Sequence, residues 1–390
     1  MSQAYRFWIL VSAVAISGFS QGMLLPLISI IFEQQGMSST LNGLHATALY
    51  IGIILVSPFL EKPLRLYGYK PMILTGGAIV VIALALFPFY QAVWFWFLLR
   101  LIIGIGDNAL HFATQTWITS FSSESVRGRN IALYGLFFSL GFAIGPFMTK
   151  FLDIGPAFPF ILSSLLCLVA WFLLLLLHNE KPEVTSSSGS VDKGFPRIKK
   201  LLTWSWVAFL PPFGYGFLES SLHGVYPIYA LRIDLNVELI AILLASFSIG
   251  GILFQLPLGV ISDKIGRRRV LTLISLLGGT IFFIGSFLEA QPHLLVGSIF
   301  LAGMMLGSTF SMGISYMTDL VPKNFLPLGN VVCGVAFSVG SLTGPILGGL
   351  FLAAFPNVSL LVLFAVLFLI IFVSIMLFKE REQEQMSAAA

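Results

Sequence analysis

The sequence predicts an all-α integral membrane protein of twelve transmembrane helices in two pseudo-symmetric six-helix halves. Three observations carry this: the composition, the spacing of apolar runs and an internal repeat. Of the 390 residues, 57% are hydrophobic and only 10% charged, with a mean hydropathy of +0.95, far from the quarter-charged make-up of soluble domains. The apolar runs are continuous rather than alternating, which excludes a β-barrel. A bilayer core about 30 Å thick needs roughly 20 apolar residues per helix, so the chain has room for about twelve.

In order, the predicted spans are 7–32, 41–60, 71–90, 93–119, 130–151, 157–178, 201–230, 237–258, 270–289, 293–317, 329–354 and 357–378. In the first, Ala13-Val14-Ala15 has the small-residue pattern of a signal peptidase site. The apolar run continues past it through MLLPLISIIF, long enough to span, so a retained first helix is expected. With both termini cytoplasmic, 18 of the 21 Lys and Arg fall on inner segments. Arg100 then lies within a span, and Lys150 and Arg232 lie toward the outside. The positive-inside rule favours that orientation and a multi-pass protein of the cell membrane.

The longest polar stretch, HNEKPEVTSSSGSVDKGFPRIKK, divides the chain nearly in half and reads as a flexible cytoplasmic linker. The organisation expected is a first half at 1–178, a linker at 179–200, a second half at 201–378 and a cytoplasmic tail at 379–390. The basic balance, +4, reflects topology rather than a nucleic-acid partner. Cys167 and Cys333 lie in different apolar spans and suggest neither a disulfide framework nor a metal site.

The repeat is gap-free over long stretches. At an offset of 199, Gly104, Gly135, Phe138, Ser139, Gly141, Gly145 and Pro146 fall on Gly303, Gly334, Phe337, Ser338, Gly340, Gly344 and Pro345. At an offset of 198, Ile51, Gly52, Ile54, Leu55 and Gly68 fall on Ile249, Gly250, Ile252, Leu253 and Gly266. Two parallel six-helix repeats are the ground plan of a rocking secondary transporter with its site between the halves.

Four motifs resemble those of the major facilitator superfamily. GVISDKIGRRR, with Gly259, Asp263, Gly266, Arg267 and Arg268, resembles the family's G-x-x-x-D-x-x-G-R-R loop and falls between the eighth and ninth spans, where that family has it. RLIIGIG, from Arg100, resembles the R-x-x-x-G-x-G pattern of its fourth helix. GFAIGPFMTK and GSLTGPILGG, with Gly141, Gly145, Pro146, Gly340, Gly344 and Pro345, resemble the G-P pattern of helices 5 and 11 associated with drug:proton antiporters. The resemblance implies the major facilitator fold and small-molecule transport. It departs from the pattern in the first-half loop, EKPLRLYGYKP, where Glu61, Arg65 and Tyr69 replace family residues, and at Thr149-Lys150, where helix 5 lacks the terminal Gly-Gly. In the second-half loop, Asp263 beside its arginines is a candidate cytoplasmic latch.

Ionisable residues near a bilayer centre cost about 2.5–3.5 kcal/mol each on insertion scales, so each one is a functional candidate. At about 100° per residue, with Arg100 as zero, Asp107 falls near −20° and His111 near +20°, on one narrow face with Gly104. At offset 199 their counterparts are Ile299, Leu306 and Phe310, so the architecture does not require the charges. A second cluster, FLESSLHG, sets Glu219 and His223 one turn apart in the seventh span, between Pro211-Pro212 and Pro227; Gln21 is the counterpart of Glu219 at offset 198. Burial favours the neutral form of a carboxyl group and a nearby cation the charged form. The expectation is that Asp107 or Glu219 carries a proton, with Arg100 tuning the acid and His111 or His223 assisting. Arg100 and Asp107 are about 10 Å apart along the helix, so pairing needs an extended side chain or a bridging water. Gln21, Asn108, Gln115 and Tyr215 are candidate cavity residues, and aromatic residues including Tyr134 candidate lining. His45 reads as a lone structural residue near the outer surface.

GIGDNA matches a dinucleotide-binding pattern but has no preceding strand, and neither a Walker loop nor a metal cluster is present in the sequence. The sequence therefore points away from an enzyme. It predicts a monomeric transporter in the lipid bilayer, without a bound cofactor and drawing on a proton gradient. Efflux of an amphipathic compound is the first reading, uptake of a sugar, metabolite or organic ion the second, and a non-transporting membrane sensor a distant third.

Overall fold

The computed structural model describes residues 3–182, 195–322 and 325–379. The first half supplies six spans: α1 (Gln3–Gln34), α2 (Ser39–Phe59), α3 (Tyr69–Phe89), α4 (Val93–Phe121), α5 (Arg129–Asp153) and α6 (Phe158–Leu175). The seventh run, expected at 201–230 as a span broken by its prolines, is assembled from pieces. A short basic helix at Phe195–Ser205 and a tight turn at Trp206–Phe209 lead into α7, which comprises Leu210–Gly224 and, after a break at Val225, Tyr226–Arg232. The prolines explain the breaks: Pro211, Pro212 and Pro227 lack the N–H that would continue a helix from its preceding turn, and each sits where a new segment starts. There follow α8 (Val237–Ile265), α9 (Arg267–Gly285), α10 (Pro292–Leu320), α11 (Leu328–Ala354) and α12 (Leu360–Leu377). Among the described residues, eleven helices are thus long and apolar enough to cross a membrane unaided. Most of the expected linker and tail, with Lys193, Lys323 and Arg381, lies outside the described residues.

The chain forms two compact units. One falls within residues 1–185 together with 230–245, the other within 186–229 together with 246–390. The segment 230–245 is fastened to its unit by ion pairs of Arg232 with Glu33, at 2.7 Å, and of Glu238 with Lys150. In the first unit α1 packs along α5 and α6, α2 along α4, and α3 along α4 and α6. In the second, α7 packs along α11 and α10, and α9 along α12 and α10.

The sequence repeat reappears as matched helix crossings. A Cβ placed on Gly104 of α4 would overlap the carbonyl oxygen of Leu49 in α2, and one on Gly52 that of Leu101 in α4. In the second unit Gly303 meets Phe247 in the same way and Gly250 meets Phe300. Those partners are themselves repeat equivalents. Gly141 against Ala15 and Gly340 against Phe213 form the next matched pair, where α5 crosses α1 and α11 crosses α7. Such small-residue seams let backbones touch where lipid offers no hydrophobic drive for association. The two loop glycines also match: Gly68 has φ +93° and Gly266 φ +97°, a left-handed turn that side chains with a Cβ rarely adopt.

Candidate functional site

The predicted face of α4 is buried inside the first unit. Arg100 and Asp107 are both 0% exposed, and His111 is half-buried. Facing them on α1, the Ser17 hydroxyl donates to Asp107 Oδ1 at 2.6 Å and lies 3.0 Å from His111 Nε2. On the other edge of the imidazole, His111 Nδ1 is bonded to the Tyr134 hydroxyl of α5. Because Ser17 has one proton and gives it to Asp107, His111 must donate from Nε2 and accept at Nδ1. The result is one ordered chain of donors: Tyr134 to His111 to Ser17 to Asp107. Gln21, one turn beyond Ser17, also interacts with the Asp107 carboxyl group.

Arg100 takes a different direction from the one the sequence suggested. Its Nη1 donates to His45 Nδ1 at 3.1 Å, and His45 Nε2 in turn donates to the Val93 carbonyl oxygen at 3.1 Å. No ion pair between Arg100 and Asp107 is present among the described residues. His45, expected near the surface, is 2% exposed and is the partner of the buried guanidinium. The helical wheel places residues on a face but says nothing of which neighbouring helix each will meet; α2 and α1 divide this face between them.

The other cavity candidates also separate. Asn108 locks α4 to α2 through the Ile53 carbonyl oxygen, at 3.0 Å, and Ser57 Oγ, at 2.8 Å. Gln115 is exposed. In the second unit, Tyr215 donates to Glu219 Oε1 at 3.1 Å, and His223, 1% exposed, donates from Nδ1 to the Glu219 carbonyl oxygen at 2.9 Å. Glu219, Tyr215 and His223 therefore cluster on α7, remote in sequence from the α4 network.

The loop motif braces helix ends. Arg267 donates to Asp319 Oδ1 at 2.6 Å, to Thr318 Oγ1 and the Ser315 carbonyl oxygen at 3.1 Å each, and reaches Asp263 at 3.4 Å. Asp263, the predicted latch, is the longer of its two acidic contacts. Arg268 closes the end of α12 through the carbonyl oxygens of Ile375, Met376 and Phe378. Gly259 has nothing near its Cβ position. Gly145 and Gly344, like Gly141 and Gly340, sit against the facing backbone; Pro146 opens a 3₁₀ stretch at Gly145–Asp153, whereas Pro345 stays inside the α-helix of α11.

Sequence reasoning missed Ser17, Asp319 and Glu289. The last accepts 2.6 Å hydrogen bonds from Tyr229 and Ser359. A serine in an apolar helix, or an acid at a helix end or in a turn, carries no signal until its partner is known. Tyr134 was noted as an aromatic, not as a hydroxyl.

The Major Facilitator Superfamily profile matches residues 10–236 and 209–389. The MFS-type transporter YfkF of Bacillus subtilis (strain 168) is 53% identical over 91% of both chains. Multidrug resistance protein 2 of the same organism is 22% identical over 88% of both. Among solved structures, a D-xylose-proton symporter superposes with TM-score 0.79 at 11% identity, over 97% of this chain and 98% of its own. The nucleoside transporter NupG does so with TM-score 0.77 at 14%, over 95% and 99%. These two share the fold. The chain belongs to the major facilitator superfamily and is a multi-pass membrane transporter of a small molecule, not an enzyme.

Proposed function

We propose that this transporter exports a small amphipathic compound in exchange for protons, by alternating access, with Asp107 as the proton carrier. The observation that supports it is the ordered chain ending on Asp107, a fully buried carboxyl group whose repeat equivalent is Leu306. Along that chain a proton moves without any group gaining net charge for long: Ser17 gives its proton to Asp107 Oδ1 and takes one from His111 Nε2, while Tyr134 supplies Nδ1 and is reprotonated from water. The imidazole changes tautomer and is restored as the chain resets. Glu219, held by Tyr215, offers the second unit's negative charge to a cationic part of the substrate.

Export is favoured by the two G-P motifs and by the 22% identity to Multidrug resistance protein 2. In this reading the chain works as a monomer in the cytoplasmic membrane with both termini inside, and the proton gradient is its energy source. The test is flux of ethidium, a fluorescent amphipathic cation, in proteoliposomes carrying an imposed pH gradient. Expulsion against the ethidium gradient, driven by inward protons, is expected. Flux indifferent to the pH gradient overturns the coupling; proton-driven accumulation in the same direction as the protons replaces export with uptake.

A further inference from the structure

We infer that the short basic helix at Phe195–Ser205 lies on the membrane surface, with Ile198 and Leu202 in the boundary between headgroups and acyl chains and Lys199 on the phosphate of an anionic phospholipid. One side of this helix is committed to protein. Leu201 and Ser205 are fully buried and Trp204 nearly so. The Trp204 ring meets that of Phe325 with centres 5.0 Å apart, and the Arg197 guanidinium lies 4.8 Å from the centre of the same ring. Phe325 stands just ahead of α11 and Phe378 just past α12. Trp206, the residue that follows the helix, meets Phe378 with ring centres 5.9 Å apart. The helix is thus fastened across the ends of two spans and does not project away from them, which sets it at the depth of the headgroups, where aromatic rings gather.

Its outer surface has two chemically different parts. At about 100° per residue, with Leu201 as zero, the protein-facing residues run from about −60° at Trp204 to +40° at Ser205. Ile198 and Leu202 follow at about +60° and +100°, Lys199 at about +160°, and Lys200 at about −100° on the far side. Ile198 is 38% and Leu202 41% exposed, and Trp206 beside them 45%. An apolar strip left open on a helix that already sits at the end of the spans is accounted for by lipid, as in helices that lie in the interface with one face down. Lys200 is then aimed away from the bilayer.

Lys199 borders the apolar strip, is exposed, and takes part in no ion pair among the described residues. Its flexible stem can lie along the strip while the ammonium group reaches the phosphate level. A zwitterionic headgroup brings a cation of its own, so the net attraction is to an anionic one, and a lysine near such a surface is worth about a fivefold enrichment. Because the turn at Trp206–Phe209 joins this helix directly to α7, the lipid contact also holds the height at which the helix of Glu219 begins.

The experiment is fluorescence of a bimane label on the full chain in phosphatidylcholine vesicles that contain a fixed fraction of lipid with a nitroxide high on its acyl chain. The nitroxide lipid is phosphatidylglycerol in one arm and phosphatidylcholine in the other. Cys167 and Cys333 are both buried, and the chain without an added cysteine gives the background labelling. A label at Leu202→Cys should be quenched strongly and one at Lys200→Cys weakly; positions 199, 200 and 202 are all exposed, so folding is expected to be unchanged. At position 202 the phosphatidylglycerol arm should quench as though that lipid were about fivefold enriched over phosphatidylcholine. Lys199→Gln should remove the enrichment and Lys199→Arg keep it. Equal quenching at 202 and 200, the result if the strip faces water or another protein, overturns the placement on the membrane. No enrichment in the chain with native Lys199, or enrichment that survives Lys199→Gln, overturns the contact between lysine and phosphate.

Discussion

α4 and α10 occupy equivalent places in the two units, cross equivalent helices and do so on equivalent glycines. Gly104 lies against Leu49 and Gly303 against Phe247. At the positions between and beyond those glycines the two helices part: Arg100 and Asp107 in α4 answer to Ile299 and Leu306 in α10, and all four are 0% exposed. Leu306 fills its site by packing on the bare backbone of Gly278, whereas Asp107 fills its own by accepting from Ser17. The same crossing is therefore built once from hydrocarbon and once from charge. The charged version carries an insertion penalty of about 2.5–3.5 kcal/mol per ionisable group, a cost the equivalent crossing in the second unit does not carry. The second unit has an acid of its own, but on α7. Tyr215, which donates to Glu219, is the repeat equivalent of Ser17, which donates to Asp107. One hydroxyl position is kept in both units while the acid it serves has moved.

The loops after the second and eighth spans sharpen the contrast. Arg267 is fixed by Asp319, with Asp263 at its side. Its counterpart Tyr69 stacks on Trp117 with ring centres 5.3 Å apart. Trp117 donates to Glu180, which also pairs with Arg6. Lys70 matches Arg268, holding the Leu175 carbonyl oxygen at the end of α6 at 2.8 Å as Arg268 holds the end of α12. The first-half loop departs from the family pattern because an aromatic stack and a residue just past α6 do the bracing there.

The comparison breaks most completely at the acid. Asp107→Asn should remove all pH-gradient-driven ethidium flux while leaving the melting temperature of the purified protein within a few degrees of the native value. Tyr134→Phe cuts the donor chain at its far end and should slow gradient-driven flux about a hundredfold, the usual scale for losing a positioned proton donor, with folding intact. The shared architecture is tested at the glycines. Gly104→Val and Gly303→Val should each destabilise by about 1–3 kcal/mol or more, since the new side chain meets backbone. Gly135→Ala, where a Cβ meets nothing within 4 Å, should be neutral or slightly stabilising in the same thermal melts. Smallest of all, Arg65→Ala removes an exposed pair with Glu61 and should change stability by less than about 1 kcal/mol.

The spans, the repeat and the crossing glycines were legible because each is set by local composition or by periodicity, which a single chain displays in full. The seventh span was legible in extent and as a helix broken by its prolines, but the breakpoints themselves were not, since only packing decides which prolines interrupt a helix: Pro26 and Pro257 lie within unbroken helices. In the site, Asp107 and His111 stood out through their cost in an apolar run. Arg100 stood out for the same reason, yet its partner could not be read, because the ring that receives it comes from α2, fifty-five positions away. Ser17 was silent for a similar reason: a hydroxyl is unremarkable in a membrane helix until the carboxylate it meets is placed beside it.

The most direct test of the account is to give α4 the residues of α10 at once, as Arg100→Ile, Asp107→Leu and His111→Phe in one chain, and to measure its melting temperature together with ethidium flux under a pH gradient. The account predicts a protein at least as stable as the native one, since removing buried charge in favour of hydrocarbon is commonly neutral or stabilising, and no gradient-driven flux. A variant that pumps ethidium at the native rate, or one that fails to fold while the single variant Asp107→Asn folds and transports normally, would show that the charges of α4 serve the architecture and not the proton.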